Sequence, residues 1–179
     1  MRRFIKEVQP PFLSYDHYPI VAKGKEGRDS PSLRPFFYDN IEQCHRIAQE
    51  NNLDLWAFCM TTPHYWPARG TGYPPPTEGH LRLQIYTDLA YGARALQYFT
   101  YWTPAKGTDP GIEYYSGPID TDGKRTPTFD LLKKINQLGT TVILATHDRD
   151  IVNAVEKRVI TLDRGRVIRD EEGGRYILV

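Results

Sequence analysis

Four times along this chain a short apolar run is followed by a stretch with helical periodicity. Strands separated by helices pair in parallel through right-handed crossovers, so that order leaves few folds open. The first run, residues 11 to 20, is bounded by prolines and ends in polar and aromatic groups. A Gly- and charge-rich loop, 23 to 35, leads to Phe37, Ile41, Cys44 and Ala48, whose spacing predicts a helix over 37–51. Residues 53 to 60 are nearly all apolar, as in a strand covered on both sides. After a loop at 61 to 76, Thr77 is an N-cap candidate, and Leu81, Ile85, Leu89 and Ala93 repeat every fourth residue, predicting a helix over 77–92 that stops around Gly92.

The pattern then continues with a strand at 95 to 101, a loop at 102 to 125, and a helix that Thr126-Pro127 begins and Gly139 caps, with Phe129, Leu132 and Ile135 on its buried face. Residues 141 to 146 read as a buried β-branched strand, and Asp148 caps a short helix carrying Ile151, Val152 and Val155. Residues 158 to 162 and 166 to 169 flank Asp163-Arg164-Gly165 as a hairpin. The expected class is α/β: a partial (β/α) barrel, or an open, mostly parallel sheet of about four strands with helices, plus a C-terminal β-hairpin. A whole barrel of this kind needs about 250 residues, and the chain has 179.

Lys plus Arg (23) nearly cancel Asp plus Glu (22), so no overall field favours nucleic acid or an anionic membrane, and neither is expected as a partner. No apolar signal core follows Met1, and no run approaches the roughly 20 apolar residues that span a bilayer. The expectation is a soluble, cytoplasmic chain. Cys44 and Cys59 lack metal-ligand spacing and read as reduced core thiols. All three Trp and all but one of the 12 Tyr precede residue 130, beyond which Val, Ile, Arg, Asp and Gly take over. Composition thus shifts late in the chain.

Residues 13 to 19 (Leu-Ser-Tyr-Asp-His-Tyr-Pro), 55 to 58 (Leu-Trp-Ala-Phe), 76 to 93, 97 to 102 (Gln-Tyr-Phe-Thr-Tyr-Trp) and 117 to 120 together resemble the last three strand-helix units of a β-galactosidase-like glycoside hydrolase. The resemblance covers about residues 8 to 137. It implies a site at the carboxyl ends of the strands, where aromatic faces stack on a pyranose and polar groups meet its hydroxyls. Candidates for that wall are Tyr15, His17, Tyr18, His64, Trp66, Trp102, Tyr114 and Tyr115, each of which can equally be a loop aromatic covering the core. Glycoside cleavage usually needs two carboxyl groups. The resemblance puts the acid/base upstream of Met1, and the strand aligned as seventh, residues 55 to 62, ends without Asp or Glu. Asp16 and Glu78 are weak catalytic candidates only. Asp16 either meets a sugar hydroxyl or ties its own turn; Glu78 follows an N-cap, where the helix dipole alone accounts for a carboxylate. Glu113 reads as solvated.

From about residue 135 a different likeness takes over. Residues 138 to 153 (Leu-Gly-Thr-Thr-Val-Ile-Leu-Ala-Thr-His-Asp-Arg-Asp-Ile-Val-Asn) and 157 to 171 resemble the end of the FtsE family of cell-division ABC ATPases. The resemblance makes His147 the switch histidine that contacts the γ-phosphate of ATP. The sequence holds no Gly-x-x-x-x-Gly-Lys-Ser/Thr phosphate loop and no Leu-Ser-Gly-Gly-Gln signature. ATP and Mg²⁺ are therefore cofactors of the resembled family only, with binding not expected here, and no other cofactor or metal is expected. The FtsX-like membrane partner of that family is not expected either, since its coupling surface lies largely outside the retained tail. The chain reads as two regions, 1–137 and 138–179, joined inside a helix that suits either family. Carbohydrate is the implied partner, and catalysis is expected to be incomplete on both sides.

Overall fold

The computed structural model describes residues 1–23, 29–137, 149, 152, 153 and 157–177. The chain divides into two compact units, Met1–Ile143 and Leu144–Val179. In the first unit a parallel sheet of order β1-β4-β7 is formed by β1 (Phe12–Tyr15), β4 (Asp54–Met60) and β7 (Ala93–Phe99). Leu13 pairs with Leu55, and Cys59 with Tyr98. The central position of β4 explains its apolar run: Leu55, Ala57 and Cys59 are buried on one side and Met60 at the end. This is the α/β class expected from the alternation. The fourth expected parallel strand, 141 to 146, and the cap at Asp148 lie outside the described residues.

Helix α1 (Arg2–Val8), which no periodicity announces, places Ile5 in a core with Leu13, Tyr15 and α2 (Phe37–Glu50). Phe37, Ile41, Cys44, Ile47 and Ala48 of α2 are buried, the face its spacing predicts. Helix α3 (Glu78–Ala90) begins at Thr77, whose hydroxyl accepts from the His80 N–H at 3.2 Å. Its buried face departs from expectation. Leu81 and Ile85 are buried, but Leu89 is 41% exposed and Gln84 and Asp88 are buried instead. A repeat of four drifts off a 3.6-residue turn, so after two steps the face has moved on from Leu89 to Asp88. Helix α4 (Pro127–Gln137) buries Ile135 against Cys59, Leu81 and Ile85, with Phe129 and Leu132 half-buried.

The run at 11 to 20 is not one strand. Asp16 to Pro19 interrupt it, and the chain resumes as β2 (Ile20–Lys23), antiparallel to β3 (Asp29–Leu33). The expected loops at 61–76 and 102–125 likewise contain β5 (His64–Trp66), β6 (Thr71–Tyr73) and β8 (Glu113–Tyr114). These five short strands form a second sheet of order β3-β2-β6-β5-β8. All five come from segments that leave the carboxyl ends of β1, β4 and β7. In the second unit, β9 (Val159–Asp163) and β10 (Arg166–Glu171) form the expected hairpin. Arg164 and Gly165 both sit at positive φ (47° and 77°), as a two-residue type I′ turn requires.

Candidate functional site

The second sheet and the ends of β1, β4 and β7 enclose a cluster of rings. His64 is its centre: its ring lies 4.8 Å from those of Trp66 and Tyr73, 5.4 Å from Phe99 and 5.5 Å from Tyr114. Tyr18 meets Tyr73 edge-on at 5.1 Å. Tyr18, Met60, His64 and Tyr73 are buried, and Trp66 is half-buried at the margin. Of the expected aromatic wall, Tyr18, His64, Trp66 and Tyr114 therefore come together. Tyr15 and His17 stand beside α2 instead, where Tyr15 Oη and Asn40 Nδ2 lie 3.1 and 3.2 Å from His17 Nδ1. Trp102 is 39% exposed, bridged by its backbone to Ile119.

The end of β4 is held by two polar devices. Gln84, buried in α3, accepts the Met60 N–H through Oε1 at 2.7 Å and donates from Nε2 to the Met60 carbonyl at 3.3 Å. The Thr61 and Thr62 N–H groups both donate to the Phe99 carbonyl, and the Thr61 and Thr62 hydroxyls donate to the Thr100 carbonyl. These bonds fix the start of the segment carrying His64 and Trp66. Gly72 allows β6 to approach β5: a Cβ there would lie 2.4 Å from the His64 carbonyl.

Burial keeps these groups uncharged. His64 Nδ1–H donates to the Thr62 carbonyl at 2.9 Å, which fixes the tautomer and leaves Nε2 as acceptor; burial lowers its proton affinity further than that bond raises it. His17 is likewise lowered by burial, then by the Arg34 charge. Burial raises the phenols of Tyr15, Tyr18 and Tyr73. Tyr114 rises to about 12 through burial and its donation to Asp109 Oδ2 at 2.5 Å. Asp109 reaches the edge of the cluster through its bond to Tyr114, and the negative charges of Asp16 and Asp109 both act to raise the proton affinity of His64, less than burial lowers it. Asp109 had no signal in the sequence, because the loop at 102 to 125 gave no register that would bring it to Tyr114.

Glu78 is placed elsewhere. It pairs with Arg82 and Lys134, both at 2.8 Å, tying α3 to α4, and those bonds lower its pKa. Asp88 lies between α3 and β4, where burial pushes it up to about 7 against the lowering effect of the Cys59 thiol, which donates to it at 3.5 Å. Glu113 and Tyr115 meet each other at 3.3 Å on the surface. His147 lies outside the described residues. Among the described residues no group of three or more His, Cys, Asp or Glu can hold a metal ion, and no helix is long and apolar enough to cross a membrane.

The cluster brings phenol, indole and imidazole rings together at the ends of three parallel strands. It offers ring faces, hydroxyls and one neutral imidazole, the chemistry of recognising a polar ligand with an apolar side.

No protein-family model matches this chain, and no solved structure matches it. Curated relatives match part of it. The cell division ATP-binding protein FtsE of Mycobacterium tuberculosis is 46% identical over 61 residues, 34% of this chain and 26% of that protein. FtsE of Bacillus subtilis is 51% identical over 45 residues, 25% of this chain and 20% of the relative. The methionine import ATP-binding protein MetN 1 of Burkholderia ambifaria is 51% identical over 49 residues, 27% of this chain and 13% of that protein. The chain spans about a quarter or less of the length of these relatives. Similarity to FtsE-like ABC ATPases thus extends over about a third of the chain, and these relatives lend no support to the glycoside-hydrolase resemblance.

Proposed function

We propose that the C-terminal region is the closing segment of an FtsE-like cell-division ATP-binding protein and that the chain does not hydrolyse ATP by itself. The observation that carries this reading is the 46% identity to FtsE over 61 residues, against coverage of only 26% of that relative. In this reading His147 senses the γ-phosphate and the β9-β10 hairpin closes the cassette. The phosphate cradle, the Mg²⁺-holding carboxylates and the signature sequence would have to come from a complementary cassette portion, because ATP hydrolysis depends on positioning Mg²⁺ and the phosphates together. The test is a graft. The C-terminal 61 residues, the length of that match, replace the corresponding segment of Mycobacterium tuberculosis FtsE, and ATP hydrolysis is measured. The graft is expected to hydrolyse ATP and to lose that activity with His147→Ala, whereas the native chain alone shows none. An inactive but folded graft, or turnover by the native chain, would sink the reading.

A second reading is favoured by the ring cluster at the carboxyl ends of three parallel strands. Residues 1–137 contact a carbohydrate there without cleaving it, in keeping with a glycoside-hydrolase-like ancestry. Trp66, at the accessible margin of the cluster, supplies the apolar side, with the buried rings of Tyr18, His64 and Tyr73 supporting it from behind. Titration with simple methyl glycosides is expected to give millimolar binding, and aryl glycosides are expected to stay intact. Aryl-glycoside turnover would refute the non-catalytic half of this reading.

A further inference from the structure

Beside the ring cluster lies a surface pocket of about 370 Å³. Arg34, Trp66, Arg69 and Tyr73 line it together with Val21 and Thr71, and no acidic residue does so among the described residues. Arg34 is half-buried and oriented: its Nη1 donates to Tyr73 Oη at 2.9 Å, and its guanidinium carbon stands 5.9 Å from that ring. Arg69, exposed on the short turn Pro67–Arg69 between β5 and β6, holds its guanidinium carbon 5.9 Å from the Trp66 ring. Neither arginine has an ion-pair partner among the described residues. The Trp66 indole N–H also lacks a hydrogen-bond partner among them.

Two guanidinium groups with no ion pair among the described residues, standing by two rings at one opening, are the arrangement that takes an anion attached to a partly apolar body. A guanidinium binds a carboxylate through paired N–H bonds, and the rings accept the C–H side of the molecule that carries it. The pocket is within the usual range for small-ligand sites, about 300–1,000 Å³. We propose that this pocket binds an acidic pyranose, a uronic-acid residue whose carboxylate meets Arg34 and Arg69 while its ring lies against Trp66. The assignment rests on the carbohydrate reading of the first unit and narrows it to an anionic sugar.

Calorimetric titration of the whole chain at low ionic strength, where exposed charges are least screened, tests this with methyl β-D-glucuronide, methyl β-D-glucoside and sodium acetate. The glucuronide is expected to bind about tenfold more tightly than the glucoside, a modest return for a charge-assisted hydrogen bond, and acetate is expected to show no saturable binding over the same range. Arg69→Gln removes one cation from an exposed turn and is expected to fold, which circular dichroism checks. It should abolish the glucuronide advantage and leave glucoside binding within about a factor of two. Equal binding of both glycosides overturns the anion preference and leaves the carbohydrate reading standing. Binding of neither overturns both. Acetate binding as tightly as the glucuronide overturns recognition of the ring, and an advantage that survives both Arg69→Gln and Arg34→Met overturns the assignment to these arginines.

Discussion

Gln84→Met replaces a buried amide by an apolar side chain of nearly the same volume, so its cost isolates the polar clamp on the end of β4. Gln84 is 2% exposed and Met60 3%, so water cannot replace the lost partner. The Met60 N–H loses its acceptor at 2.7 Å and the Met60 carbonyl its donor at 3.3 Å. An unpaired buried donor costs about 1–3 kcal/mol and a lost neutral bond about 1, which sets the expected destabilisation at about 2–4 kcal/mol. All three Trp lie in the first unit, so their fluorescence in urea reports that unit. With a urea slope of about 2 kcal/mol per M, the midpoint should fall by about 1–2 M. Gln49→Met, on the exposed face of α2, controls for the substitution itself and should stay within about 0.5 kcal/mol of the parent. A midpoint for Gln84→Met within about 0.25 M of the parent would show that the clamp is not what holds this strand end.

Three further outcomes are expected. Burial raises Asp88 from its ordinary value of 3.8 to about 7. Between those pH values the folded chain therefore binds the proton that the unfolded chain has released, and this group's contribution to stability falls as pH rises through that window; the urea midpoint of Asp88→Asn should gain on the parent between pH 5 and pH 8, and a constant difference would contradict the raised pKa. Cys44 and Cys59 are free, buried and raised by burial, Cys44 to about 11, so a disulfide reagent should label them slowly in the native chain and rapidly in urea; prompt native labelling of both would contradict their burial. Gly72→Ala forces a Cβ to within 2.4 Å of the His64 carbonyl, so β5 and β6 must separate, lowering the melting temperature by an amount equivalent to about 1–3 kcal/mol and changing the near-ultraviolet circular dichroism of Trp66; an unchanged spectrum would mean that the hairpin does not position that ring.

Local rules were enough for the elements whose signals are local. Helix α2 follows from four apolar residues at helical spacing, the start of α3 from Thr77, the start of α4 from Pro127, and β4 from an apolar run too short for a helix. The β9-β10 turn follows from a glycine placed where φ must be positive. The likeness to FtsE was also legible in the residues, because a specific string survives in a short segment whatever precedes it.

The second sheet was not legible, and neither was the site it builds. Its strands are two to five residues long, and β5 pairs with β8 across a gap of some 49 residues in sequence. No pattern that short has a period to read. The polar residues that matter most there, Gln84, Arg34 and Asp109, look in sequence like any surface amide or charge. Each acquires its role from a partner on a different element: Met60 for Gln84, Tyr73 for Arg34 and Tyr114 for Asp109. Periodicity along the chain determined the helices and the central strand, because backbone geometry repeats every few residues; only tertiary folding decided which loop residues converge, because that depends on strand ends brought together through space.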